Sequence, residues 1–305
     1  MNKWEWLSHS ILLRETIFDG YIINIEPLRI GSGKGLSLEA PVDLAVLRIG
    51  YNGINVPYIP GSSLKGAFRS YATLLAKYKG LEVCTGLSKE TCGETKDING
   101  KRLNNQINEL MMKSSTDALK VFYEKACLMC KIFGSTHYMS KVSFSDAYPI
   151  DDNRQIIDVK TGVRTGIAID RRTGATQERR ALYKVEFIEL GAKFKFSIRC
   201  RNLPNYAIGI LSLVLRRMNE GLIKIGGFKS RGFGAVKVEG LKFRSRDFVK
   251  EPSLVMAPLE PEVDAEVDLM GVAELKDGWV TSESENVWKT LDRLIEVWNK
   301  FARKS

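Results

Sequence analysis

The sequence predicts an α+β fold of ferredoxin-like order. In that order a long strand, a helix, insertions, a strand, a second helix and a final strand build one sheet with its helices on one face. Three observations predict it: the strand-like run of residues 18–30, amphipathic helical patterns at 62–78 and 206–219, and period-two alternation through 187–200. The chain has 305 residues, enough for one large or two modest domains, and its 44% hydrophobic and 27% charged content is that of a globular protein. No apolar run approaches the roughly 20 residues needed to cross a bilayer. The opening Met1-Asn2-Lys3-Trp4-Glu5-Trp6 lacks the apolar core of a secretory signal, so the expected location is the cytoplasm.

Taken in order, the first strand ends in the loop Gly31-Ser32-Gly33-Lys34-Gly35. Residues 45–49 and 54–59 flank Tyr51-Asn52-Gly53, and Asn-Gly between apolar runs predicts a hairpin. Pro60 and Gly61 stop that strand, and Ser62 or Ser63 can cap the helix that follows. Leu64, Phe68, Tyr71 and Leu75 recur on one helical face, while Lys65 and Arg69, four apart, share another that is free to meet a ligand. A polar stretch at 80–115 and a helical pattern at 117–133 read as one insertion of about 80–140, and 142–148 returns to the sheet. Residues 159–185 are arginine-rich with Gly162, Gly166 and Gly174, which suits an extended hairpin tipped by Thr173-Gly174-Ala175-Thr176. Gly221 ends the second helix, and 223–243 holds a glycine-rich loop and the last strand. Pro252, Pro258 and Pro261 mark a linker that divides a main domain, 1–250, from a tail, 251–305. In the tail Val287, Leu291, Leu294, Trp298 and Phe301 form an apolar helical stripe that docks on its own domain or on a partner subunit.

The formal charge of +10 points to a polyanionic partner. Between Glu251 and Ser282 eight acidic residues face Lys276 alone, a balance of −7, so the remaining chain carries +17. Its cations gather in three places. Lys65 and Arg69 lie near a helix start, where free N–H groups and the dipole favour an anion. Lys229 and Arg231 stand in Gly226-Gly227-Phe228-Lys229-Ser230-Arg231-Gly232-Phe233-Gly234, where glycines permit close approach and aromatics can stack or pack. Arg164, Arg171, Arg172, Arg179 and Arg180 surround the predicted hairpin tip. A solvated helix face, a structural turn and a solvated ribbon are the plain alternatives.

Cys84 and Cys92 lie in the polar insertion, and Cys127-Leu128-Met129-Cys130 closes a helical pattern. Four thiols with a Cys-x-x-Cys half-site suit a structural zinc, with His137 able to replace one of them. Inert buried cysteines and disulfides fit the same spacing. Cys200 alternates with strand residues and reads as packing. Neither a phosphate-binding Gly-x-x-x-x-Gly-Lys-Ser/Thr nor a Ser/His/Asp signature is present, which argues against a small-molecule enzyme.

The run Tyr58-Ile59-Pro60-Gly61-Ser62-Ser63-Leu64-Lys65-Gly66, with Arg69 and the late Gly226–Gly234 loop, resembles the RAMP superfamily of CRISPR-associated proteins. The resemblance runs from about residue 18 to 243. Within the superfamily the chain is similar to the repeated backbone subunit of type III (Csm/Cmr) effector complexes. That implies an RRM-like domain, several copies along one CRISPR RNA, other effector subunits as partners, and cleavage of complementary target RNA. It also implies that Lys65, Arg69, Gly226, Gly227, Lys229 and Arg231 bind RNA, and that Arg164, Arg171 and Arg172 belong to a thumb hairpin crossing the guide–target duplex. The family's cleaving residue is an aspartate between the first strand and the Pro-Gly-Ser-Ser-Leu-Lys helix. Asp43 takes that place here, with Glu39 as second choice. RNA carries its own nucleophile, the 2′-hydroxyl, and a carboxylate serves either as base or as ligand of a divalent cation such as Mg. An ordinary aspartate, with pKa about 3.9, is a feeble base at neutral pH, which favours the second role. Two other expectations stand beside this one: a non-cleaving RNA-binding subunit that caps the filament, and a processing endonuclease, for which only His9 and His137 are available as acid or base.

Overall fold

The computed structural model describes residues 2–31, 42–87, 89–167 and 182–302. Glu39, Arg171, Arg172, Arg179, Arg180 and the expected hairpin tip lie outside the described residues.

Strand β1 is Arg14–Asn24, earlier at both ends than the apolar run predicted, with Thr16, Phe18 and Ile22 inward. The start escapes sequence reading because Arg14, 0% exposed, is matched by a residue far along the chain. Its guanidinium forks onto the Asp247 carboxylate, Nη2 to Oδ2 at 2.7 Å, and reaches Asn205 Oδ1 at 2.6 Å.

β2, Arg48–Tyr51, and β3, Ile54–Pro57, turn at Asn52 and Gly53 with φ of 45° and 80°, the left-handed pair that a tight hairpin demands. Helix α1 is Gly61–Tyr78. Its cap is not Ser62 or Ser63: Asp146 reaches across from the sheet, and Oδ1 accepts the Gly61 N–H at 2.7 Å. A remote carboxylate thus takes the anion position at this helix start. Gly61 is required there, since a Cβ would lie 2.3 Å from the Phe144 carbonyl oxygen.

The insertion holds α2 (Leu103–Met111), α3 (Ser115–Lys125) and α4 (Leu128–Phe133). The single helix expected at 117–133 is interrupted, because Ala126 and Cys127 adopt extended backbone and the Cys127 N–H turns to Cys92 Sγ at 3.3 Å. Leu103, Ile107, Phe122 and Met129 join the core, so the insertion is less polar inside than its composition implies.

The chain then forms β4 (Val142–Phe144), β5 (Tyr148–Pro149), the hairpin β6 (Thr161–Ile167) and β7 (Leu182–Ile188), β8 (Lys193–Arg201), α5 (Asn205–Asn219) and β9 (Val236–Asp247). The tail adds β10 (Val255–Met256), β11 (Val267–Asp268), β12 (Glu274–Lys276), β13 (Trp279–Glu283) and α6 (Glu285–Lys300). The main sheet is antiparallel in the order β12-β13-β9-β1-β8-β4, with β5 also on β8. Helices α1 and α5 touch each other over one face, and α6 packs on α5.

The tail therefore differs from a solvated linker. Its β13 lies alongside β9, and two of its acids, Glu260 and Asp264, are buried acceptors within the fold. Glu260, 4% exposed, accepts from Trp6 Nε1 at 2.9 Å, from the Tyr206 hydroxyl at 2.6 Å and from Tyr123. Asp264 accepts the N–H groups of Asn205 and Tyr206 at 3.0 and 3.1 Å, capping α5. Burial drives its pKa up to about 6. Close contact between α5 and α6 rests on Gly209, where a Cβ would meet the Leu294 carbonyl oxygen at 2.2 Å. Gly209→Ala is expected to cost about 1–3 kcal/mol by overpacking, read from urea unfolding. An unchanged midpoint would mean that α6 is not seated this tightly.

Candidate functional site

Three segments meet at the end of the sheet where β1 finishes and β8 and β9 begin. They are residues 27–31, the base of the β6–β7 hairpin, and the glycine loop at 225–235. Leu28 bridges Ile188, and Leu44 pairs in parallel with Val185, donating its N–H to the Lys184 carbonyl and accepting from Glu186. That pairing sets Asp43, which is exposed, at the hairpin base. Its Oδ2 accepts the Lys184 N–H at 2.7 Å, and its other oxygen has no hydrogen-bond partner among the described residues.

The hairpin's glycines have a visible purpose. Gly162 faces Phe187 and Gly166 faces Tyr183 across the two strands. Each ring lies over its glycine, so that a Cβ would stand 2.7 Å from Phe187 Cζ or 2.2 Å from Tyr183 Cζ. Arg164, between them, stacks its guanidinium 5.6 Å from the Phe187 ring and 4.9 Å from that of Phe233. The glycine loop closes the group: Arg231 Nη1 donates to the Tyr183 hydroxyl at 2.7 Å.

Lys229, Ser230 and Arg231 form one exposed 3-10 turn entered through Phe228 at φ 58°. Gly226, at φ 78°, brings the loop so close to the Arg29 carbonyl that a Cβ would lie 2.3 Å from its oxygen. Gly227 donates its N–H to the same oxygen at 2.9 Å, so that N–H is already spent inside the protein. Arg29 links the whole assembly. Its Nε reaches the Leu44 carbonyl at 3.4 Å, its guanidinium lies 5.5 Å from the Phe228 ring, and desolvation lowers its pKa.

Lys65 and Arg69 belong to a second neighbourhood, contrary to the expectation of two free cations. Arg69 turns inward: Nη1 donates to the Gly134 carbonyl at 3.1 Å and Nη2 to Cys130 Sγ at 3.7 Å. Lys65 is half-buried, and desolvation followed by repulsion from Arg69 lowers its pKa.

Beside Arg69, Cys84, Cys92, Cys127 and Cys130 bring their sulfurs within 4.8 Å of one another. All are free thiols, with Cys84 3.3 Å from Cys130 and 3.6 Å from Cys127. Sulfurs bound at about 2.3 Å to a tetrahedral zinc are about 3.8 Å apart, so the set is compatible with that ion. Hydrogen bonding from Cys127 and Cys130 holds Cys84 well below the ordinary thiol value, and Cys130 draws Cys127 down to about 6. His137 is exposed and outside the cluster.

The structure thus gathers Asp43, Arg164, Gly226, Gly227, Lys229 and Arg231 in one place, and Lys65 and Arg69 with the cysteines in another. Sequence reasoning missed Arg29 and Tyr183. Pro27 inside the presumed first strand was the available signal for Arg29, because proline removes a ladder hydrogen bond; the role of Tyr183 depends on strand register. No curated protein matches the sequence. The family model of the RAMP superfamily matches residues 22–237, more than half of the chain. The chain belongs to the RAMP superfamily of CRISPR-associated proteins, whose members bind CRISPR RNA within multi-subunit complexes and include ribonucleases.

Proposed function

We propose that this chain is the RNA-gripping backbone subunit of a type III interference complex, present in several copies along one guide, and that it cleaves target RNA at Asp43. In this reading β1, α1, β4, β8, α5 and β9 are the ferredoxin-like RAMP core, and the β6–β7 hairpin is the thumb. The observation that carries the reading is an exposed carboxylate, pinned by the Lys184 N–H, at the foot of a hairpin that also carries Arg164 and contacts Arg231.

Arg164, Lys229 and Arg231 take phosphate oxygens without reading sequence, which suits a protein whose specificity lies in guide–target pairing. Asp43 is then presented to a sugar–phosphate unit whose 2′-hydroxyl loses its proton and attacks the adjacent phosphorus, breaking the bond to the 5′-oxygen of the next nucleotide, which leaves with a proton and a 2′,3′-cyclic phosphate behind it. A divalent cation such as Mg, when bound, lowers the hydroxyl's pKa and offsets charge on phosphorus. A single free carboxylate fits that need, since Mg is held by one or two carboxylates together with substrate phosphates. Fixing one Asp43 oxygen with a backbone donor leaves the other directed by the hairpin. The four cysteines hold a structural zinc that ties residues 84–92 to α4. A processing nuclease built on histidine is disfavoured: the ring nitrogens of His9 are buried and burial lowers its pKa to about 4, while His137 is exposed and takes no part in the group formed by Asp43, Arg164 and Arg231.

The test is the wild-type subunit assembled on a guide and challenged with complementary and non-complementary RNA. Cuts at regular intervals in the complementary strand alone are expected; binding without cutting would reduce the protein to a non-cleaving subunit, and no binding would remove it from the guide. In the isolated chain, Lys229→Ala is expected to weaken RNA binding across sequences and flatten log K against log salt by about 0.7–1 unit. An unchanged slope would take Lys229 out of the interface.

A further inference from the structure

The sheet face turned away from α1 and α5 carries no helix among the described residues, and its side chains are exposed or half-buried. Strand β8 sends Phe194, Phe196, Ile198 and Cys200 inward, which leaves Lys193, Lys195, Arg199 and Arg201 in a row on the open face. At about 3.4 Å per residue that row runs for about 27 Å. We propose that it is a track for single-stranded RNA leaving the hairpin base along β8, a reading that rests on the RNA-binding function above.

Charge is the first argument. On the neighbouring strand β9 two of the four outward cations are matched, Arg244 by Asp19 at 3.0 Å and Lys242 by Glu283, while Lys237 and Arg246 have no ion pair among the described residues. On β8, Lys195, Arg199 and Arg201 have no ion pair among the described residues, and the strand itself contributes no acid. Burial lowers the pKa values of His9 and Lys141 nearby, and repulsion from Arg201 adds a smaller part. A strand of unpaired cations on an open surface calls for a polyanion.

Aromatic placement narrows the polyanion to a nucleic acid. Tyr148 of β5 pairs with Lys195 of β8, which pairs with Tyr21 of β1, so one row across three strands reads tyrosine, lysine, tyrosine. Lys193 Nζ lies 4.6 Å from the Tyr21 ring centroid. The ring itself rests against Gly240, at φ 54° beside the β1–β9 bulge, where a Cβ would come within 3.0 Å. Cations interleaved with partly exposed rings bind phosphate and stack bases without demanding sequence. Continuity is the third argument: Lys193 stands at the sheet end shared with the hairpin, and β9 begins two residues after Gly234 of the glycine loop. A strand held at the hairpin base therefore meets β8 next.

The purified full chain is to be titrated with a long and a short oligouridylate across a salt series. The variants are Lys195→Glu/Arg199→Glu/Arg201→Glu, the milder Lys195→Gln/Arg199→Gln/Arg201→Gln, and Lys229→Ala/Arg231→Ala. Circular dichroism and melting report whether each is folded. Both β8 variants are expected to weaken the long RNA, by roughly tenfold or more for the charge reversal, with the salt slope reduced by about two units for three contacts of about 0.7 each. The short RNA, held at the glycine loop, keeps its affinity. Photocrosslinks from the long RNA are expected on Tyr21 or Tyr148. Wild-type affinity and slope for the long RNA in a folded β8 variant would overturn the proposal. So would loss of polyglutamate binding with RNA binding intact, which would reassign the face to an acidic protein. Failure of the glycine-loop variant to weaken the short RNA would count against the central site alone.

Discussion

Asp43→Asn is expected to lower target-RNA cleavage by roughly 10²–10⁴-fold while guide and target binding are unchanged. Asparagine is the informative substitution because its amide oxygen can still accept the Lys184 N–H that the carboxylate now accepts at 2.7 Å. The hairpin base keeps its geometry, and only the charge is removed. Asp43→Ala takes away that hydrogen bond as well, a net cost of about 0.5–1.5 kcal/mol that would be felt at the junction of Leu44 with β7. Comparing the two separates chemistry from scaffolding. If both variants stop cleavage and both bind RNA normally, Asp43 acts on the reacting phosphate. If only the alanine variant fails, and it also loses RNA, the residue positions the hairpin and the cleaving group lies elsewhere. Cleavage at the wild-type rate in Asp43→Asn would end the assignment.

Much of the fold was legible because it depends on local pattern. The 62–78 and 206–219 helices obey their apolar spacing, and Asn52-Gly53 turns where that dipeptide should. What escaped depends on partners distant in sequence. Arg14 looked like the polar start of nothing in particular, yet Asp247, 233 positions away, makes it the buried first residue of β1. The α1 cap is another case: two serines stood at the right positions, and Asp146 from the sheet displaced both. In the tail, prolines and acids spelled a linker, while Glu260 and Asp264 were in fact acceptors for Trp6, Tyr206 and the start of α5. The site divided for the same reason. Spacing alone places Lys65 and Arg69 on one helix face, but only the packing of α4 reveals that Arg69 is turned toward Gly134 and Cys130.

That contact gives the cysteine cluster consequences beyond the insertion. Removing metal with a chelator, or replacing Cys130 by serine, is expected to lower the melting temperature by roughly 10 °C. The figure follows from about 4 kcal/mol of linkage when free zinc stands about a thousandfold above its dissociation constant, at about 2–4 °C per kcal/mol. The loss should fall short of global unfolding, because Leu103, Ile107, Phe122 and Met129 still anchor the insertion in the main hydrophobic core. Metal analysis should find one zinc per chain, and cobalt substituted for it should show thiolate charge-transfer absorption. A drop in melting temperature with reductant alone, and none with chelator, would make the link a disulfide formed from these thiols. No drop with either would leave four inert cysteines. Where the chelator does act, RNA affinity measured in the same samples separates two roles for α1. A parallel loss of affinity means that Arg69 and Cys130 hold the Lys65 face in a binding geometry, whereas unchanged affinity confines the metal to scaffolding and leaves the grip on RNA to the glycine loop and the hairpin.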